Sequence, residues 1–266
     1  PSPSPSPSAA SLFVANLANN TVTEYAPPYT GTPIATISNS VNQPNGLAFN
    51  PSGDLFIPDY GNSTVTEYAA PFTGAPIATI SNSVNRPYGL SFDSSGDLFV
   101  ANGANNNVTE YASPYTGAPI ATISNSVTLP FGVALDASGE LFVADQGNNT
   151  VTEYASPYTG APIATISNSV DLPFGLEFNA SDDLFIANQG SNSVTEYAPP
   201  YTGAPTATIS NGVGFPEDLE FDAAGDLFVA NAENNTVTEY APPYTGAPSA
   251  TISNSLNEPV GVAIGP

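Results

Sequence analysis

Two glutamates occupy a place that is small elsewhere in the chain. Glu177 and Glu220 align with Ala48, Ser91, Ala134 and Ala263, with Glu217 and Asp218 just upstream of the second and Asp171 near the first. Carboxylates brought together by neighbouring elements must bind a cation, share a proton or repel. Glu177, Glu220, Glu217 and Asp218 therefore form a candidate calcium-like site, with a general acid and base pair or a solvated wall as the alternatives. Acid–base catalysis needs a nucleophile or oxyanion donor nearby, and no motif places one. Asp-x-x-Gly-Asp stretches such as Asp93 to Asp97 imitate part of a calcium loop but lack its later carboxylate ligand, so they read as hairpin turns.

Much other chemistry is excluded by composition. Cys, Met, Trp and His are absent, which removes thiolates, disulfides, imidazole catalysis and zinc sites built on His or Cys. Twenty-four Asp and Glu face a single base, Arg86, for a formal charge of −23. Nucleic-acid binding and attachment to anionic lipid need several cations and are excluded. No run of about 18 apolar residues suggests insertion into a membrane.

The elements that position these groups come from an internal repeat. Leu-Phe recurs at Leu12, Leu55, Leu98, Leu141, Leu184 and Leu227, each 43 residues after the last, so six units fill all but eight of the 266 residues. Runs of Val, Ile, Thr, Tyr and Phe alternate with Gly, Pro, Asn and Asp, giving four short strands per unit and almost no helix. The period and strand count predict an all-β, six-bladed β-propeller of four-stranded antiparallel blades over residues 12–266, following a Pro-Ser-rich tail at 1–11. The chain enters at a second strand and leaves through Gly261 to Ile264, which match a first strand. The C-terminal strand should complete the N-terminal blade and close the ring. An open solenoid is the competing architecture, but it needs capping repeats that are not seen.

The order Pro-x-Gly-Leu-x-Phe-Asp, Gly-Asp-Leu-Phe-Val-Ala-Asp/Asn, Asn-Asn and Val-Thr-Glu-Tyr, as in Pro87 to Asp93 with Gly96 to Asn102, resembles the NHL-repeat propellers over residues 12–264. The resemblance implies the fold and is weak for activity, since relatives include lyases, lactonases, sensors and binding modules. The streptogramin and peptidyl-hydroxyglycine lyases rely on His. Gluconolactonase-like propellers hold a divalent metal with Glu, Asn and Asp at the channel mouth, residue types that exist here without a matching motif.

Residues shared by all six units read as construction, so a specialised site should lie where the units differ. The residues flanking the Pro of the loop into each innermost strand differ most, and successive units bring Tyr88, Leu129, Phe131, Leu172, Phe174 and Phe215 together. They either plug the channel or form a docking patch for a protein or sugar. Sequons fall at Asn19, Asn62, Asn107, Asn148, Asn179 and Asn234, and Ser2, Ser4, Ser6 and Ser8 lie in a tail resembling O-glycosylated stalks. The resulting expectation is a non-enzymatic extracellular or cell-surface structural or binding propeller, glycosylated and able to form fibres. Its partners would be copies of itself, other surface proteins or glycans, and its one candidate cofactor a divalent cation such as calcium. A recognition module and a metal-dependent lactonase- or lyase-like enzyme are the alternatives.

Overall fold

Each unit folds as its residue types direct. In the computed structural model, which describes residues 10–265, Pro130–Leu135, Leu141–Asp145, Thr150–Tyr154 and Ala164–Ile166 pair in chain order as one antiparallel sheet. Asp136 turns the chain between the first two strands: its Oδ1 accepts from Ser138 N and Glu140 N, and Gly139 follows at φ +83°. That left-handed backbone favours glycine.

Six such sheets form the ring, named here by the Pro that opens each inner strand or, in blade II, bridges ahead of the shorter strand Ala48–Phe49: blades I (Pro259), II (Pro44), III (Pro87), IV (Pro130), V (Pro173) and VI (Pro216). Blade I is assembled from both ends of the chain. Its inner strand, Pro259–Gly265, pairs antiparallel with Ser11–Asn16, with Leu12 opposite Ile264 and Val14 opposite Val262. The predicted closure is therefore present, with Ser11 the first residue of the strand that pairs with the chain's last. Among the described residues the helical content is one 3₁₀ turn, Gln146–Asn148.

The core lies between blades rather than within one. Phe56, Val65 and Ile80 of blade II pack with Leu90, Leu98, Val100 and Tyr111 of blade III in one buried cluster, and the other wedges repeat the pattern. Every second strand is thus covered on both faces, so Leu-Phe-Val is a continuous apolar run instead of an alternating one. The shared Thr-Glu-Tyr and Thr-Ile-Ser-Asn segments latch the wedges. Tyr111 OH donates to Asn82 O at 2.6 Å and Tyr154 OH to Asn125 O at 2.6 Å. At the seam, Tyr25 OH reaches Asn254 O at 2.5 Å.

A second latch is an amide in four blades and an acid in two. Asn16, Asp59, Asn102, Asp145, Asn188 and Asn231 end the second strands, and all are fully buried. Asn102 accepts from Asn85 N through Oδ1 and donates Nδ2 to Val100 O and Thr109 Oγ1. Asp59 keeps the first bond, from Asn42 N, but accepts from Thr66 Oγ1 at 2.7 Å instead of donating. Burial pushes the carboxyls of Asp59 and Asp145 up to about 6 despite these bonds.

Candidate functional site

The inner strands meet at a waist. Five carry glycine at the position two after the Pro: Gly46, Gly89, Gly132, Gly175 and Gly261. A Cβ on Gly132 would lie 2.2 Å from Phe174 O, and one on Gly261 2.2 Å from Asn45 O, so the backbones close on one another around the axis. The sixth position is Asp218. Its carboxylate accepts from Val262 N of blade I at 3.0 Å and lines the narrow space, about 50 Å³, that remains.

Above the waist, on the face where the Pro loops converge, aromatic rings fill the channel. Tyr88 lies 4.0 Å from Phe131 and Phe131 lies 4.3 Å from Phe174, centroid to centroid. Phe131 and Phe174 are buried and Tyr88 is half-buried. Glu217 borders the same stack, buried, with Gln189 Nε2 donating to its Oε1 at 2.6 Å. Burial, with Glu258 and Asp218 nearby, pushes its carboxyl up to about 8 even against that bond.

Below the waist Glu177 and Glu220 line a chamber of about 250 Å³ with Ser91, Ala48, Ala263 and Phe92, opening towards the opposite face. Their tips keep some exposure to the chamber but are enclosed by the strands, and enclosure is the main reason both carboxyls are pushed up. Asp218 raises both further, and Glu177 raises Glu220. Burial also lifts Asp218, to about 7. Enclosure and mutual repulsion therefore both favour neutralising the cluster, by protons or by a cation.

Around the loop face, six residues preceding the Pro residues adopt left-handed backbone: Gln43, Arg86, Leu129, Leu172, Phe215 and Glu258, with φ between 48° and 54°. Bulky residues pay about 1–3 kcal/mol for such backbone. Hydrogen bonds on both sides offset it. Leu172 N donates to Asn149 Oδ1 of the preceding blade at 2.8 Å, and Leu172 O accepts from Gln189 N at 3.1 Å. Phe215 is clamped alike by Asn192 Oδ1 and Ala232 N. The clamps turn these side chains outward: Leu172 is 39 % and Phe215 41 % exposed, while Leu129 is half-buried. Arg86 lies over the Tyr60 ring, 5.4 Å from its centroid.

The structure therefore divides the expected six-residue docking sector. Phe131, Phe174 and Tyr88 turn inward and plug the channel because the residue after each Pro faces the axis. Leu172 and Phe215, before the Pro, face out, and Leu129 at the same position is half-buried. The four proposed metal ligands are split as well: the waist and plug separate Glu217 from Glu177 and Glu220, with Asp218 between. Among the described residues, the carboxylates that bring three oxygens within 4.8 Å of one another are Asp93, Asp97 and Glu110, on the opposite face. Asn19, Asn62, Asn148 and Asn234 are exposed in loop-face turns. Asn179 commits its amide nitrogen to Asp183 Oδ2, and Asn107 begins a strand with its Oδ1 buried. Ser2, Ser4, Ser6 and Ser8, and the Pro-Ser tail with them, lie outside the described residues. Sequence reasoning missed that Asp218 replaces a waist glycine and that Asp59 and Asp145 replace amides. Aligning the six units position by position reveals both.

No protein-family model matches the chain, and no curated protein sequence does. Its fold is shared by solved structures. A protein of unknown function from Bacteroides caccae is 12 % identical with TM-score 0.77, covering 97 % of this chain and 99 % of that one. A chain of the nidogen/laminin complex is 16 % identical with TM-score 0.76, covering 96 % and 98 %. Virginiamycin B lyase from Staphylococcus aureus is 12 % identical with TM-score 0.67, covering 94 % and 83 %. At these identities the likeness establishes the six-bladed propeller fold and leaves activity open.

Proposed function

We propose that this chain is a non-catalytic extracellular or cell-surface propeller, with blades of NHL-repeat type, that acts as a structural and binding module through its loop face. The observation that carries the reading is the ring of clamped, left-handed residues presenting Leu172 and Phe215 to solvent, with half-buried Leu129 beside them, above a channel stopped by aromatic rings. Side chains carried on backbone that is already fixed lose less freedom when a partner binds. A propeller of similar shape occurs in the nidogen/laminin complex, an assembly of proteins. Catalysis of the lyase kind is disfavoured: the Staphylococcus aureus enzyme is catalytically inactive when one of its histidines becomes alanine, and this chain has none. To test the reading, the immobilised chain is offered a glycan array and a panel of matrix proteins. Capture that is lost in Leu172→Ser/Phe215→Ser but kept in Asp182→Asn on the far face supports it. Capture insensitive to the loop face, or turnover of a lactone, overturns it.

A second reading rests on the chamber. Glu177 and Glu220, with no base beside them, suit a divalent cation such as calcium. A calcium-dependent rise in melting temperature that disappears in Glu177→Gln supports that reading; a calcium response unchanged in that variant overturns it.

A further inference from the structure

We propose that the partner of the loop face is a second copy of this chain, docked face to face about a two-fold axis running across the ring from blade V to blade II. The proposal rests on the loop-face reading above and adds the occupant. In ring order from blade I the six clamped positions are Glu258, Gln43, Arg86, Leu129, Leu172 and Phe215. A two-fold axis through blades V and II places Leu172 on its own counterpart and Gln43 on its own. It exchanges blade IV with VI and blade III with I. Leu129 then meets the second copy's Phe215, and Arg86 meets the second copy's Glu258.

Of the three such axes that pass through opposite blades, this one alone sets apolar residues against apolar residues and the base against an acid. An axis through blades III and VI opposes Leu172 to Glu258 and Leu129 to Gln43. One through I and IV opposes Arg86 to Leu172 and Gln43 to Phe215. The match involves the chain's single cation. Its receiving place is a shallow, open depression of about 310 Å³ between Phe215 and Glu258, with Glu233 at its side. A guanidinium entering it meets two carboxylates and an aromatic edge, and the symmetry makes the contact twice.

The rest of the charge favours this face over the other. Asp171, Glu233 and Glu258 are the exposed acids of the loop face, whereas the turn aspartates and the Thr-Glu-Tyr glutamates gather on the opposite one. Face-to-face docking therefore points the two strongly acidic surfaces away from each other. One unfavourable meeting remains, since Asp171 adjoins Leu172 and approaches its own counterpart at the axis.

The test is sedimentation equilibrium of the full chain made without attached sugar, from micromolar to sub-millimolar concentration. The parent is expected to dimerise. Arg86→Glu and Glu258→Arg should each raise the dimer Kd at least tenfold, because each creates like-charge pairs twice over. An equimolar mixture of these two variants should recover a one-to-one heterodimer, since both contacts between positions 86 and 258 are then opposite in charge. Asp171→Asn should tighten the parent dimer. A mixture that stays monomeric overturns the proposal, as does a dimer indifferent to both charge reversals, which would point to another surface such as the exposed Ile34, Ile77, Ile120 and Ile163. A parent that is monomeric throughout, yet captures a glycan or matrix protein in a Leu172-dependent way, overturns the second-copy proposal and leaves the loop-face reading standing.

Discussion

The two faces of the disc are made by the same repeat and differ in what the repeat leaves free. On the hairpin face, the Asp turns and the Thr-Glu-Tyr glutamates are construction, so carboxylates accumulate there. Their mutual repulsion adds to burial in pushing up Glu67, Glu110, Glu153, Glu196 and Glu239. On the loop face, construction is carried by backbone and amide groups, as in the bond from Leu129 N to Asn106 Oδ1. The side chain before each Pro is left to vary. A face whose side chains are structural cannot specialise without harming the blade; a face held by its backbone can.

The waist separates these faces, and breaking it should have the largest effect. Gly132→Leu would place a Cβ 2.2 Å from Phe174 O, a backbone atom that cannot step aside. The expected loss is about 4 kcal/mol or more, read by urea denaturation, with both faces lost together. Asp218→Gly, which restores the motif of the other five blades, should instead keep the fold and raise stability at pH 8 by removing a carboxyl from the waist.

Acidification should sharpen the comparison next. Asp59 and Asp145 have folded pKa values near 6, above the ordinary 3.8, so folding favours their protonated forms. That stabilisation is complete below about pH 4 and is lost as pH rises through about 6. Melting temperature should therefore rise as pH falls from 8 to 5, opposite to ordinary acid denaturation. The difference between the folded and ordinary values sets an upper bound of about 3 kcal/mol for each group. Asp59→Asn/Asp145→Asn should raise stability at pH 8 and flatten the profile above pH 5. A profile unchanged by that double variant would place the dependence in the channel cluster or on the hairpin face.

Smaller effects should divide the Pro-flanking residues. Phe131→Ala removes a buried ring from the plug and is expected to cost about 3 kcal/mol in urea denaturation. Leu172→Ser, one residue before its Pro and exposed, should change the stability of the single chain by less than about 0.5 kcal/mol.

Fold and site were unequally legible in the sequence. The 43-residue period, the strand and turn chemistry, and the match of Gly261 to Ile264 with an inner strand are properties of one unit read six times, so architecture and closure were visible. The orientation of Phe131 against Leu129 was not, because both are apolar and two positions apart. Only the left-handed backbone before the Pro decides which faces the axis. The metal expectation grouped Glu217 with Glu220 because it lies just upstream in the chain, whereas the waist separates the two along the channel axis. The significance of Asp59 was hidden for another reason: Asp and Asn look interchangeable in a turn-rich repeat until burial distinguishes a charge from an amide.

The last expectation concerns sugar. Asn19 and Asn62 spend their side-chain oxygens on Asn257 and Asn42 while remaining exposed, whereas the Asn179 amide nitrogen is engaged within its own turn. Peptide mapping of material from a eukaryotic secretory host should therefore find sugar at Asn19, Asn62, Asn148 and Asn234 before Asn179 or Asn107. These four turns stand on the loop face, and Asn148 adjoins Asn149, the clamp of Leu172. A glycan there would cover the surface on which a second copy is proposed to dock. Glycosylated chain should thus be monomeric, and enzymatic removal of the sugar should restore association. A fully glycosylated chain that still dimerises through Arg86 and Glu258 would show that these turns lie outside the contact.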